Sequence, residues 1–105
     1  MHGPFAMTAV DRGHLLALAG RLDVSAAADV RLALEDELDA GEGDLVLDLH
    51  GLLAVDATGL GVLLGAHRRA GRAGRTLVLR DVPPSVGRIL HVTRLDRVLH
   101  QDRVA

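Results

Sequence analysis

The chain has 105 residues, of which 49% are apolar, and its formal net charge is −2. This length suits one domain around one core, and the charge excludes a basic footprint for DNA or RNA. The absence of cysteine excludes disulfides and thiolate metal sites, and Phe5, the only aromatic residue, cannot form a stacking platform for single-stranded nucleic acid.

The N-terminal region predicts two neighbouring strands. Residues 14–19 are almost entirely apolar and precede Gly20, a pattern typical of a strand covered by other elements. A weaker edge strand around Met7–Val10 can pair with it through the turn at residues 11–13. We expect residues 1–6 to form a flexible N-terminus.

A single α/β domain is predicted over residues 7–105. No apolar run approaches the roughly 20 residues that a membrane span requires. Met1–Met7 also lacks a basic region followed by an apolar stretch, so no signal peptide is evident. We therefore expect a cytoplasmic protein without direct membrane insertion.

The first helix is predicted to begin at Ser25, whose hydroxyl can accept a hydrogen bond from a free N–H of the first turn. Gly41 and Gly43 end it. Three apolar residues at four-residue spacing form a stripe along this helix: Val30, Leu34 and Leu38.

The next strand is predicted over Asp44–Leu49, with residues 51–55 as a short connection. A second helix follows from near Thr58 to about Arg69, and either Asp56 or Thr58 can be its N-cap.

The remaining elements are a strand over Thr76–Leu79, a helix from Ser85 through Val92, and another from Thr93 through Leu99. Alternation of strands and helices is typical of a largely parallel sheet with right-handed crossovers. We expect an α/β fold with a mixed, mostly parallel sheet of four or five strands and about four helices.

The most informative residues follow the central strand. Asp56, Ala57 and Thr58 lie where a helix begins, at the strand's carboxyl end, which is the usual binding edge of open α/β sheets. Gly59 and Gly61 each cost about 1 kcal/mol relative to alanine inside a helix. Small residues at these positions allow another surface to approach the backbone closely.

The segment from Asp48 to Leu64 resembles the signature of STAS domains, specifically of bacterial anti-sigma factor antagonists. Leu18–Asp23 is similar to the element that precedes the first helix in this family, and Arg88–Val98 is similar to its closing segment. The resemblance covers about residues 7–100 and implies the STAS fold.

The resemblance also implies a partner. Such domains bind an anti-sigma factor that is also an ATP-dependent Ser/Thr protein kinase, and binding frees a sigma factor for transcription. The kinase phosphorylates the hydroxyl residue directly after the motif aspartate, a phosphatase reverses this, and the phosphorylated domain releases the kinase. The implied partner-binding residues are Asp23, Asp56, Ala57, Thr58, Gly59 and Gly61.

The sequence departs from the family pattern at the phosphoacceptor. Ala57 stands at that position and has no hydroxyl. Either Thr58 accepts the phosphate, or the domain is not switched in this way. A shift of one residue at a helix start turns the side chain by about 100° around the axis, and the alternative for Thr58 is a structural role as N-cap or buried hydroxyl.

Structural roles are also open for three carboxylates. Asp56 can serve only the helix dipole, and Asp23 can simply fix the turn before the first helix. Asp48 lies within an apolar strand, where an unpaired charge is unfavourable, so we expect it to accept hydrogen bonds from nearby backbone.

Four arginines are interpreted as a solvated face, with contact to an acidic partner as the alternative: Arg68, Arg69, Arg72 and Arg75.

Catalysis is not predicted. The six histidines lack metal-ligand spacing, and no Ser/His/Asp set with a nucleophile elbow occurs, so we expect neither a metal nor a cofactor. Two other functions remain open: a STAS accessory subunit of an ABC lipid transporter or signalling scaffold that is not phosphorylated, and a small-ligand or nucleotide binder at the strand ends.

Overall fold

A computed structural model describes residues 5–102 as five strands and three α-helices. The elements in chain order are β1 (Ala6–Asp11), β2 (Leu15–Leu22), α1 (Val24–Ala40), β3 (Asp44–Val55), α2 (Ala57–Arg72), β4 (Thr76–Arg80), α3 (Pro84–Val92), a short 3-10 helix (Leu95–Arg97) and β5 (His100–Asp102). Within residues 5–102, no helix is long and apolar enough to cross a membrane.

The five strands form one mixed sheet in the order β1-β2-β3-β4-β5. β1 is antiparallel to β2, and the other three neighbouring pairs are parallel, each joined through a helix. The predicted α/β fold with a mostly parallel sheet is therefore confirmed, although the described residues form three α-helices where we expected about four.

The core lies on one face of the sheet, because every second residue of the central strands is buried there. The buried strand residues are almost all leucines, including Leu16, Leu18, Leu45, Leu47, Leu77 and Leu79. The predicted stripe on α1 joins the same core: Val30, Leu34 and Leu38 are all buried. An aliphatic core thus connects the helices to the sheet without aromatic side chains.

The predicted connection at residues 51–55 is wrong, because β3 continues through it to Val55. Gly51 pairs with Ala19 and Val55 with Leu22, and two register shifts insert extra residues into β3. A Cβ at Gly51 would lie only 2.8 Å from the Cβ of Ala19. Glycine here permits close contact of two strands, so β2 also runs past its expected end at Gly20.

The carboxylate of Asp48 stabilises the first of these irregularities. Its Oδ1 accepts a hydrogen bond from the backbone N–H of His50 at 2.9 Å, and its Oδ2 lies 3.4 Å from Nη2 of Arg80 on the neighbouring strand. The predicted hydrogen bond between Asp48 and nearby backbone is therefore confirmed.

The helix predicted over residues 93–99 is wrong. Thr93 ends α3 instead of starting a helix, because its hydroxyl donates to the carbonyl oxygen of Ile89 at 2.7 Å. Arg94 then adopts a left-handed conformation with φ of 62°, which leaves room only for the 3-10 helix before β5. α3 itself begins at Pro84 with Pro83 in the capping position, so Ser85 is not its N-cap.

Arg75 is buried, which corrects its assignment to a solvated face. Only 6% of the residue is exposed, and its guanidinium donates to the carbonyl oxygens of Gly13, Glu37, Leu38 and Gly43, among others. It thereby joins the end of α1 to the turn between β1 and β2. The other three arginines of that prediction are exposed or half-exposed: Arg68, Arg69 and Arg72.

The expected flexible N-terminus falls partly outside the described residues, since residues 1–4 are not among them. Phe5 is half-buried against the core, and Ala6 is the first residue of β1.

Candidate partner-binding surface

Two helix N-termini lie next to each other at the carboxyl end of the paired strands β2 and β3. Leu22 and Val55, the last residues of these strands, are paired in register. α1 begins directly after Asp23, and α2 begins directly after Asp56. We call the exposed and half-exposed residues at these two starts, together with Gly61 one turn into α2, the helix-start surface: Asp23, Val24, Ser25, Asp56, Ala57, Thr58 and Gly61.

Asp23 is the N-cap of α1, in place of the predicted Ser25. Its Oδ1 accepts hydrogen bonds from the hydroxyl of Ser25 at 2.6 Å and from the backbone N–H of Ser25 at 3.0 Å. These bonds lower the pKa of Asp23 below its ordinary value, and the bond from the Ser25 hydroxyl has the largest effect. Asp23 therefore presents a negative charge at neutral pH.

Asp56 is the N-cap of α2, which resolves the alternative between Asp56 and Thr58. Its Oδ1 accepts a hydrogen bond from the backbone N–H of Gly59 at 2.8 Å. Ala57 and Thr58 then occupy the first two helical positions, and both are exposed. Within residues 5–102 the Thr58 hydroxyl has no hydrogen-bond partner, so neither structural role considered for it applies.

The two glycines of α2 that the sequence singled out serve different purposes. Gly59 is buried, and a Cβ there would collide with the carbonyl oxygen of Leu22 and lie 2.6 Å from Cγ2 of Val55. Its missing side chain lets α2 begin against the end of β2. Gly61 is exposed, with nothing within 4 Å of an added Cβ. The structure thus brings Asp23, Asp56, Ala57, Thr58 and Gly61 together at the surface and places Gly59 beneath it.

Two exposed apolar side chains were missed in the sequence, one within this surface and one at the end of β3 that leads to it. Val24 is 72% exposed and follows Asp23, whereas Leu53 is 66% exposed and lies three residues before Asp56. Leu53 falls at the second register shift of β3, which turns it away from the core. The only sequence signal for the exposure of Leu53 is that it directly follows Leu52. Side chains along a strand alternate between the two faces of the sheet, so only one of two adjacent leucines can face the core.

The arrangement is suited to protein contact. Carboxylates next to exposed aliphatic side chains offer both a charge pattern and apolar area to a partner. Among residues 5–102, no three histidine, aspartate or glutamate side chains are placed to hold a metal ion.

Comparison with known proteins gives consistent matches. The family described as "Mlab, STAS domain" matches residues 5–101. An anti-sigma F factor antagonist from Paenibacillus polymyxa is 31% identical over 90 residues, which cover 84% of this chain and 77% of that protein.

Solved structures agree with these matches. A Thermotoga maritima protein assigned as an anti-sigma factor antagonist is similar with a TM-score of 0.75 at 25% identity, covering 95% of this chain and 87% of that chain. The Bacillus cell fate determinant SpoIIAA, in its phosphorylated form, shares the fold with a TM-score of 0.66 at 22% identity, covering 95% and 92% of the two chains.

Proposed function

The chain belongs to the STAS domain family, and from this premise we propose that it is an anti-sigma factor antagonist. It binds an anti-sigma factor through the helix-start surface and thereby frees a sigma factor for transcription. The observation that carries this proposal is the exposure of Asp56, Ala57 and Thr58 at the start of α2. These are the positions through which the resemblance implies partner contact.

Binding, and not catalysis, is the activity that this surface supports. Asp23 and Asp56 each accept hydrogen bonds from their own helix start, so both carboxylates act as fixed negative charges. Val24 and Leu53 add apolar area beside them. A partner with basic side chains around an apolar patch complements this pattern.

Phosphoregulation departs from the family pattern because Ala57 has no hydroxyl. The partner implied by the resemblance is a Ser/Thr kinase, opposed by a phosphatase. We propose that antagonism is either constitutive or controlled at Thr58, whose free hydroxyl is accessible. A phosphoryl group there adds about −1.5 to −2 charges beside Asp56, and like-charge repulsion opposes docking of a partner that accommodates that carboxylate.

An affinity pull-down from native lysate tests the docking surface. Wild type is expected to recover an anti-sigma factor with a kinase domain, identified by mass spectrometry. Ala57→Asp places a second carboxylate beside Asp56, and recovery is expected to fall at least about tenfold. Ala9→Asp makes the same change at an exposed position of the edge strand β1 and serves as the control. Equal recovery by Ala57→Asp and wild type would mean that this helix start is not the contact surface.

A kinase assay tests the regulation. Wild type, Thr58→Val and Ala57→Ser are incubated with the recovered anti-sigma factor and ATP, and the phosphorylated residue is located by mass spectrometry. Phosphate at Thr58 in wild type indicates control at that residue, and phosphate only in Ala57→Ser indicates constitutive antagonism. Phosphate confined to Ser25 or Ser85 contradicts the assignment of the motif.

A second candidate function is an accessory subunit of an ABC lipid transporter or a signalling scaffold that is not phosphorylated. Two observations favour it: the missing hydroxyl at Ala57, and the match to the family described as "Mlab, STAS domain". The same pull-down separates the two functions. Recovery of a transporter ATPase subunit, lost in Ala57→Asp, supports the accessory role, whereas recovery of an anti-sigma factor supports the first.

A further inference from the structure

A groove runs between the neighbouring helices α1 and α2. It holds a cavity of about 140 Å³, which is comparable to one large apolar side chain. Leu34 of α1 and Val62 of α2 are core residues that also line it. The groove begins at Gly61, a residue of the helix-start surface, and therefore continues that surface along the helices.

Two of the residues by which α2 lines the groove are glycines, Gly61 and Gly65. Gly61 and Gly65 are one helical turn apart, so they lie on the same face of α2. Both are exposed, and a Cβ at either would meet nothing within 4 Å. Each costs the helix about 1 kcal/mol relative to alanine. Packing within the protein requires glycine at position 59 but not at positions 61 and 65. The missing side chains of Gly61 and Gly65 allow another helix to approach the backbone of α2 closely.

The rim of the groove is predominantly basic. Three arginines line it, against the single carboxylate of Glu35: Arg31, Arg69 and Arg72. Within residues 5–102, Arg31 and Arg72 form no ion pair, and Arg69 has only a long contact of 3.8 Å with Asp39 between largely exposed side chains. The guanidinium groups of Arg31 and Arg72 can therefore pair with acidic groups of another molecule.

We propose that this groove receives an amphipathic helix with acidic flanks, supplied by the protein partner. An apolar side chain of that helix fills the cavity above Gly61 and Gly65, and flanking carboxylates lie against Arg31, Arg69 and Arg72. Apolar anchors spaced by one turn are the usual pattern of helix-in-groove recognition. The inference rests on the proposed function, because the partner is the same, and it extends the contact about three turns along α2, from Gly61 to Arg72.

A designed peptide probes the groove without the partner. The probe is a labelled helical peptide of about 18 residues, or five turns, with leucines along one stripe and glutamates beside it. A second peptide carries lysine in place of each glutamate. Binding is measured by fluorescence anisotropy against wild type, Gly65→Leu, Arg72→Glu and Gly71→Leu. Gly71 is the control, because it is also an exposed glycine of α2 with open space around it but does not line the groove.

We expect the glutamate peptide to bind wild type and Gly71→Leu equally, and to bind Gly65→Leu and Arg72→Glu at least about tenfold more weakly. The lysine peptide should bind wild type more weakly than the glutamate peptide. The inference is overturned if the glutamate peptide does not bind, or if Gly65→Leu binds it as well as wild type. Self-association of wild type that Gly65→Leu abolishes would instead assign the groove to a second copy.

These outcomes are separate from the proposed function. The pull-down with Ala57→Asp tests docking at the helix starts, whereas Gly65 lies outside that surface. A partner lost with Ala57→Asp but retained by Gly65→Leu, together with a failed peptide assay, would leave the proposed function standing and refute the groove.

Discussion

The backbone N–H of Asp56 donates a hydrogen bond to the carbonyl oxygen of Leu22 at 3.2 Å. This bond connects the residue that caps α2 to the last residue of β2, and Asp23 follows Leu22 directly. The starts of α1 and α2 are therefore held together by backbone contacts. A partner meets a preformed surface, and little ordering is required when it binds.

The cap of α2 can be separated from its charge. Asp56→Ala removes the acceptor for the Gly59 N–H and should reduce the free energy of unfolding by about 1 kcal/mol. Asp56→Asn keeps a side-chain oxygen and should remain close to wild type. Urea unfolding followed by circular dichroism measures both. Because Asp56→Asn is expected to stay folded, its recovery in the pull-down then measures how much the negative charge contributes to partner binding. If Asp56→Ala were as stable as wild type, the hydrogen bond to the Gly59 N–H would not stabilise the helix start.

Two glycines of α2 should respond oppositely to the same substitution. Gly59→Ala forces a methyl group against the Leu22 carbonyl oxygen and Val55, and should destabilise the fold by about 1–3 kcal/mol despite the better helix propensity of alanine. Gly65→Ala adds its methyl group in open space and should stabilise by up to about 1 kcal/mol. Thermal unfolding of both variants tests this, and a change of the same sign in both would refute the packing assigned to Gly59.

The buried arginine should be indispensable for stability. Arg75→Met leaves several carbonyl oxygens around Gly13 and the end of α1 without their donor, and should reduce the free energy of unfolding by at least about 2 kcal/mol. Arg72→Met is the control at an exposed position and should change stability by less than about 0.5 kcal/mol. Denaturant titration of the two variants compares them, and similar losses would indicate that the buried network contributes little.

The cap of α1 gives a pH-dependent prediction. In the folded state the pKa of Asp23 lies below its ordinary value of 3.8, chiefly because of the Ser25 hydroxyl. A lowered folded-state pKa means that the stabilisation is fully present above the unfolded-state pKa and is lost as the pH falls through the folded-state pKa. Ser25→Ala removes the hydroxyl, so the pKa of Asp23 should rise towards 3.8. Carboxyl NMR titration of wild type and Ser25→Ala measures this, and identical titration curves would contradict it.

Most of the fold could be predicted from local sequence. The apolar runs at residues 44–49 and 76–79 lie within observed strands, as does the run at residues 14–19 apart from His14, which precedes β2, and the STAS family predicted from the central motif is confirmed. The end of β3 could not be predicted, because Gly51 is typical of a loop until the close contact with Ala19 is known. Arg75 was missed for a similar reason, since its carbonyl partners come from separate segments of the chain.

The sequence predicted most of the residues that lie at the candidate site, but not the contacts that each of them makes. The aspartates at both helix starts, with Ala57, Thr58 and Gly61, lie together as expected. Whether Ser25 caps its helix or donates to Asp23 depends on backbone geometry, because both residues are good caps. Gly59 was assigned to the surface, yet only the position of the Leu22 carbonyl oxygen reveals that it supports the surface from below.

The exposed side chain of Leu53 has a practical consequence. The chain contains neither tryptophan nor tyrosine, so it has no intrinsic indole or phenol emission. A tryptophan introduced by Leu53→Trp would be a lone fluorophore close to the helix starts, in a position where solvent already surrounds the side chain. Its emission would shift to shorter wavelength when a partner excludes water, which makes this protein suitable for label-free titration against a tryptophan-free partner.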